Sequence, residues 1–345
     1  MLPVLRLRVV PLLTLSLWSG PLRLQTAAPA SPPEYRVVEL EPLPGCDWAR
    51  WTGLNDRGEV CGTSYPNEDQ RWGAPIPCVW SDGKSHALPH DRDQPALAHA
   101  MNNEGDVVGE AEAGGDRYPV IWRASPRRSE WLDTNPGVAR LIGSDGSCVL
   151  AARGSFLMPG RRPLAAPDER LVRTTDMVDR SLIVGYTCEP SQGFSPHLPP
   201  FSVSSPRAVV WENGRPRMLP DFGHSSEARA VEAGGTIAGW AWSKEDRSVA
   251  VLWRGGKVEQ LPTPEGQHGS AEDLNRRLEV VGSLSSPTEV RAVLWRDGKW
   301  FPLEEHVKGQ SGWLFREALE INDRGQILVT GIRNDRKATC LLTPL

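Results

Sequence analysis

The sequence predicts an all-β fold, a β-propeller of seven four-stranded blades. Three observations predict it. A two-part phrase recurs seven times along residues 35–345, tryptophans in the second part are spaced by 42 residues, and turn-forming pairs stand at matching points of the copies. Composition agrees. Gly (33) and Pro (31) are abundant and Trp (14) outnumbers Phe (6) and Tyr (4) together, which suits many short strands joined by many turns. With 39% hydrophobic residues the chain has enough apolar side chain for a sizeable core, which excludes a disordered or collagen-like protein.

The first part of the phrase is A-x-x-Φ-N-x-x-G-x-Φ-Φ-G, where Φ is apolar. Its clearest copies are LNDRGEVCG (54–62), MNNEGDVVG (101–109), LNRRLEVVG (274–282) and INDRGQILV (321–329). Looser ones are IGSDGSCVL (142–150), MVDRSLIVG (177–185) and VEAGGTIAG (231–239). The second part, A-Φ-Φ-W-x-x-G, centres on Trp80, Trp122, Trp211, Trp253 and Trp295, with FLM (156–158) and CLL (340–342) in the third and last copies. Trp80 to Trp122, Trp211 to Trp253 and Trp253 to Trp295 are each 42 residues, the size of a propeller blade.

Each copy reads as four strands. Strand one is the A-x-x-Φ segment, such as Ala271 to Leu274. It turns through N-x-x-G, where Asn starts the turn and Gly supplies a positive φ. Strand two is the Φ-Φ-G run, such as Glu279 to Gly282. Strand three, A-Φ-Φ-W, is apolar on successive residues, as a strand buried on both faces requires. It is followed by Asp82-Gly83, Asn213-Gly214, Gly255-Gly256 or Asp297-Gly298, the pairs favoured in two-residue hairpins, and then by strand four, such as His86 to Leu88. The last copy stops after strand three. Arg36 to Leu40, left over at the start, is placed to supply its missing strand and so close the ring and remove exposed edges. Blade two lacks the Gly turn after Trp122 and blade three is short, so six or eight blades, or a β-solenoid, are the alternatives.

These phrases at this period resemble the HAF-repeat family of extracellular bacterial proteins, across about residues 35–345. The resemblance implies repeats and export and carries over no catalytic residue. The His that opens the H-A-F triplet is absent, and Arg207, Arg247, Arg291 and Lys337 stand at or near its place.

The domain reading is a signal peptide over residues 1–30 and one β-propeller domain over 31–345. Arg6 and Arg8 precede a short apolar run, Val9 to Trp18, and Ala28-Pro29-Ala30 offers small residues for cleavage. The run is too short to span a bilayer. The expected location is therefore secreted, periplasmic or at the cell surface. A formal charge of −4 with no basic stripe argues against nucleic acid, and the lack of charge runs argues against a polybasic membrane patch. A monomer is expected, with no cofactor and no metal.

Six cysteines follow the leader, with no CxxC. In an oxidising compartment they suggest disulfides Cys61–Cys78 across neighbouring strands, Cys46–Cys340 at the closing blade and Cys148–Cys188 between blades three and four.

If strand one is innermost, the long loops (strand two to three, and strand four to the next blade) share one face. The largest are Tyr186 to Arg207 and Thr63 to Pro77. Long loops on a rigid scaffold are where binding usually resides. The aromatics outside the repeat are the expected contacts: Tyr65, Trp72, Tyr118, Tyr186, Phe194, Trp240, Trp242 and Trp313. The functional expectation is an exported binding protein that uses this face for a protein or carbohydrate, without catalysis. The alternatives are a propeller glycoside hydrolase or lyase, should the loop-face carboxylates (Glu68, Asp69, Glu112, Asp116, Glu189, Glu245, Asp246, Glu289) converge, and a structural cell-surface spacer. No HExxH, GxSxG or P-loop motif is present.

Overall fold

The computed structural model describes residues 32–66, 73–91, 93–152, 154–168, 170–189, 205–309 and 312–345. They form seven antiparallel sheets of four strands each. The innermost strands of blades 1 to 7 are Cys46–Leu54, Ala96–Met101, Val138–Ile142, Leu171–Asp179, Ser226–Val231, His268–Leu274 and Trp313–Ile321. Strands two, three and four follow outward in sequence order in blades 1 to 6. In blade 7 the outer strand is Tyr35–Glu39, paired with Arg336–Pro344 in the register Tyr35↔Pro344 to Glu39↔Cys340. The predicted closure is therefore the observed one.

The turn chemistry accounts for the local structure. Asp82-Gly83, Asn213-Gly214, Gly255-Gly256 and Asp297-Gly298 have positive φ at both residues, as the two-residue hairpin demands.

The core is divided rather than central. Seven hydrophobic clusters occupy the seven blade-to-blade interfaces, one each. The strand-three tryptophan packs on the preceding blade and also ties to it by a hydrogen bond. Its indole N–H donates to the carbonyl just beyond that blade's fourth strand: Trp122 to Pro89 (2.6 Å), Trp211 to Ala165 (2.8 Å), Trp253 to Pro220 (2.6 Å) and Trp295 to Pro262 (2.8 Å). Buried area and a satisfied polar tip together explain why Trp, and not Phe, marks this position.

The Asn of the N-x-x-G turn does two jobs. Its Oδ1 accepts from the backbone of its own turn, as Asn322 does from Arg324 and Gln326. Its Nδ2 donates to the matching Asn carbonyl of the next blade: Asn275 to Asn322 (3.2 Å), Asn322 to Asn55 (2.9 Å) and Asn55 to Asn102 (3.4 Å). The following residue adds a second thread, since the backbone N–H of Arg276 donates to Asp323, that of Asp323 to Asp56 and that of Asp56 to Asn103. Blades 6, 7, 1 and 2 are thus fastened in a row.

The cysteine pairings are corrected. All six are free thiols. Cys61 faces Val79 and Cys78 faces Gly62, so the two thiols point to opposite faces of blade 1, one toward blade 2 and the other toward blade 7. Cys340 packs toward blade 6 while Cys46 packs against the blade 7–blade 1 interface, and Cys148 packs toward blade 2, away from the blade that holds Cys188. Burial pushes the Cys78 thiol up to about 11 and Cys148 to about 12, so these groups behave as apolar core side chains.

Candidate functional site: the axial channel

Every innermost strand carries a β-bulge at the same repeat position. The register shifts at Thr52, His99, Arg140, Thr175, Arg229, Glu272 and Leu319. A bulge leaves one residue unpaired and turns it off the sheet, and all seven of these residues line one axial cavity of about 1450 Å³. The glycine that closes the first phrase makes room for the bulge. A Cβ on Gly109 would lie 1.8 Å from the Leu97 carbonyl oxygen, and on Gly185, Gly239 or Gly282 2.0 Å from the matching carbonyl. Only glycine tolerates that approach.

The bulge ring is chemically uneven. Thr52 and Thr175 turn their hydroxyls to the next blade, onto the carbonyls of Ala98 (3.3 Å) and Ala228 (2.8 Å). The other five side chains are longer. Blades 1 to 3 present Arg50, His99 and Arg140 to the cavity. Behind them Glu110 accepts from Arg117 (2.9 Å) and stands 3.9 Å from His99 Nε2, beyond hydrogen-bond reach. His99 Nε2 and Glu110 Oε2 are buried without a hydrogen-bond partner among the described residues. Burial, joined by the like charges of Arg173, Arg50 and Arg117 and opposed by Glu110, holds Arg140 below its usual range. Burial likewise lowers His99, which favours its neutral form.

Near the bulge ring, blades 5 to 7 set three carboxylates, Glu227, Glu272 and Glu317, against two guanidinium groups, Arg229 and Arg316. Arg229 is held by Glu227 (2.8 Å) and stands 3.8 Å from Glu272. Glu317 lines the same side and makes no ion pair among the described residues. Burial raises Glu227 and Glu317, and the negative charge of Glu272 raises both further. Arg316, also on this side, donates to the Val290 carbonyl of blade 6 (3.2 Å). In a ring of seven, blade 2 faces the junction of blades 5 and 6, so the basic and acidic walls oppose each other across the axis.

A deeper tier of acids is structural. Asp176 accepts from the N–H of Met177 (2.7 Å) and, across the interface, of Val231 (2.8 Å); Asp273 accepts in the same way from Leu274 and Ile321 (both 2.7 Å), and Glu320 from Leu54. Burial raises all three, Glu320 to about 8.

The expected binding aromatics do not assemble. Tyr65 stacks on the exposed Trp48 (centroids 3.9 Å apart), and Tyr118 meets the exposed Trp131 edge-on (5.9 Å) in another blade. Tyr186 is half-buried beside Arg173 in blade 4. Trp240 and Trp242 share a face of one strand, both half-buried, with the Trp242 indole bonded to Asp246 (3.1 Å). Trp313 is not a loop aromatic: it opens the inner strand of blade 7, is buried, and stacks on Phe315 (5.5 Å). Trp72 and Phe194 lie outside the described residues, as do Glu68 and Asp69. Of the loop-face carboxylates, Glu245 pairs with Arg247 and Glu289 with Arg291, each locally. The carboxylates that gather are on inner strands: Glu272, Asp273 and Glu320 at x positions of A-x-x-Φ, and Glu227 and Glu317 one place before its Ala. The available signal was two successive polar residues inside a strand, as in Glu272-Asp273, which simple alternation does not allow.

No family model matches the chain, and no curated protein matches it. Solved structures do. The propeller domain of the Trilobed protease from Pyrococcus furiosus, described as having an open velcro topology, aligns over 86% of this chain and 93% of its own length with a TM-score of 0.58 and 11% identity. Pyrococcus horikoshii acylaminoacyl peptidase aligns over 87% of this chain with a TM-score of 0.59 and 11% identity, and this chain spans 52% of it. A second crystal form gives 88% and 52% at 0.58. These likenesses are of fold. The expectation of an exported, non-catalytic binder of protein or carbohydrate through the long-loop face is corrected: the comparable propellers belong to peptidases, and the convergent chemistry here lies on the axis and not on the described loops.

Proposed function

We propose that this propeller is the peptide-admitting module of a peptide-processing system, and that its axial channel takes extended peptide segments and excludes folded protein. The observation that carries the reading is the uneven charge around the bulge ring: Arg50, His99 and Arg140 line blades 1 to 3, while on blades 5 to 7 Glu272 and Glu317 line the channel beside Arg229 and Arg316, with Glu227 behind Arg229. A peptide chain brings backbone donors, acceptors and charges of both signs, which such walls match. The propellers of peptidases share its architecture and support the same reading. Export by residues 1–30 remains part of the proposal, supported by Arg6, Arg8 and the apolar run Val9 to Trp18.

The test is to plug the channel. Leu319→Cys carrying a bulky maleimide should abolish binding of a fluorescent hexapeptide, while the same label on Thr288→Cys, on an exposed loop, should leave it intact. Loss with the loop label and none with the channel label would overturn the reading.

A further inference from the structure

We propose that the channel reads both free ends of a short peptide, the acidic wall around Glu227, Glu272 and Glu317 taking the α-ammonium and the basic wall of Arg50, His99 and Arg140 taking the α-carboxylate. This rests on the channel reading above and adds the ligand class, an unblocked oligopeptide.

Counting partners distinguishes the acids that are spent from those that are not. Asp176 and Asp273 use both carboxylate oxygens on backbone N–H groups, and Glu320 is bonded to Leu54. The upper acids are different. Two carboxylates, Glu227 and Glu272, share one guanidinium, Arg229, whose Nε is itself buried without an acceptor among the described residues. Glu272 takes an additional hydrogen bond from the Ser270 hydroxyl (2.5 Å), which fixes its orientation, and Glu317 has no counter-ion among the described residues. An ammonium group, with three donors and one charge, supplies what this wall lacks.

The opposite wall has the reverse deficit. Arg50 and Arg140 line the cavity near Arg117, whose carboxylate partner is Glu110. His99 adds an unpartnered ring nitrogen that faces this group from blade 2. A carboxylate entering here finds planar donors suited to bidentate contact.

A lone cation or a lone anion satisfies one wall and leaves the other as it was. A zwitterion satisfies both. The cavity, at about 1450 Å³, exceeds the roughly 300–1,000 Å³ typical of small-molecule sites, which selects an oligopeptide over a single amino acid. Neutral residues between the ends suffice, because the recognition is at the termini.

The experiment is isothermal titration calorimetry on the full chain with four probes: tetra-alanine, its N-acetyl form, its C-terminal amide, and the doubly blocked peptide. Tetra-alanine should bind, and acetylation and amidation should each weaken it about tenfold or more. Glu317→Gln should weaken the free peptide to the level of the acetylated one without changing the acetylated one. Arg140→Gln should do the same for the amide. The comparison among probes on the unsubstituted protein needs no variant to fold. Equal binding of all four probes overturns this inference and leaves the channel reading in place. Binding of none overturns both.

Discussion

The ring has two arcs that differ in how they are fastened. Blades 6, 7, 1 and 2 are linked turn to turn by Asn275, Asn322 and Asn55, with Asp323 and Asp56 as a second thread. Blades 3, 4 and 5 lack that Asn. Blade 3 reaches blade 4 through Ser144, whose hydroxyl and N–H both donate to the Val178 carbonyl, and through the ion pair of Asp145 with Arg180. The arcs share the tryptophan tie and the apolar interface. The recurring N-x-x-G is therefore more than a hairpin signal. It is a device for joining blades, and its strongest copies bracket the blade that carries both ends of the domain. The acidic wall spans the arc boundary at blade 5, so chemistry in the channel is not tied to either arc.

The tryptophan tie is common to both arcs, so both should lose the same stability without it. Trp295→Ala and Trp211→Ala should each cost about 3–5 kcal/mol in chemical denaturation, since both side chains are fully buried and both donate across an interface. A clear inequality would mean that the arcs differ in their cores too. Next is the fastening itself. Asn322→Ala removes a donor to Asn55 and an acceptor for two backbone N–H groups and should cost about 2 kcal/mol, against under about 1 kcal/mol for Ser144→Ala. Equal losses would erase the distinction.

Glu320 titrates near 8 when folded because burial disfavours its charge, whereas an unfolded Glu titrates near 4.3. The folded state therefore holds the proton where the unfolded state has released it, and stability should fall as pH rises from about 5 to about 8. Asp273 and Asp176 push in the same direction. Glu320→Gln should flatten part of that slope, by a few degrees in Tm between pH 5 and 8; an unchanged slope would remove Glu320 as its source. The smallest effect is expected at Trp131, which is 56% exposed: Trp131→Ala should stay within about 0.5 kcal/mol.

Much of the fold was legible in the sequence because its signals are local and repeat. N-x-x-G, D-G and the spaced Trp each fix a turn or a strand without knowledge of distant residues, and Arg36 to Leu40 could be placed by what blade 7 lacked. The site was not legible in the same way. Bulged positions interrupt strand alternation, so His99, Arg140, Arg229 and Glu272 read as unremarkable x residues until the ring brings them to one axis. Trp313 belongs to the core and not to a loop because the inner strand of blade 7 runs nine residues and begins well before its A-x-x-Φ segment. The disulfides failed on facing: adjacency of strands says nothing unless the register puts both side chains on one side.

The pairing of Tyr35–Glu39 with Arg336–Pro344 also sets a clock. The outermost strand of blade 7 is the first of the propeller to be synthesised, and its partner is the last. At ~5–20 residues per second the two are separated by on the order of 15–60 s. Throughout that interval six blades can stack in the order they are made, while the seventh has no means of completion. The ring therefore closes only after Arg336–Pro344 has been made, through the strand pair of greatest sequence separation.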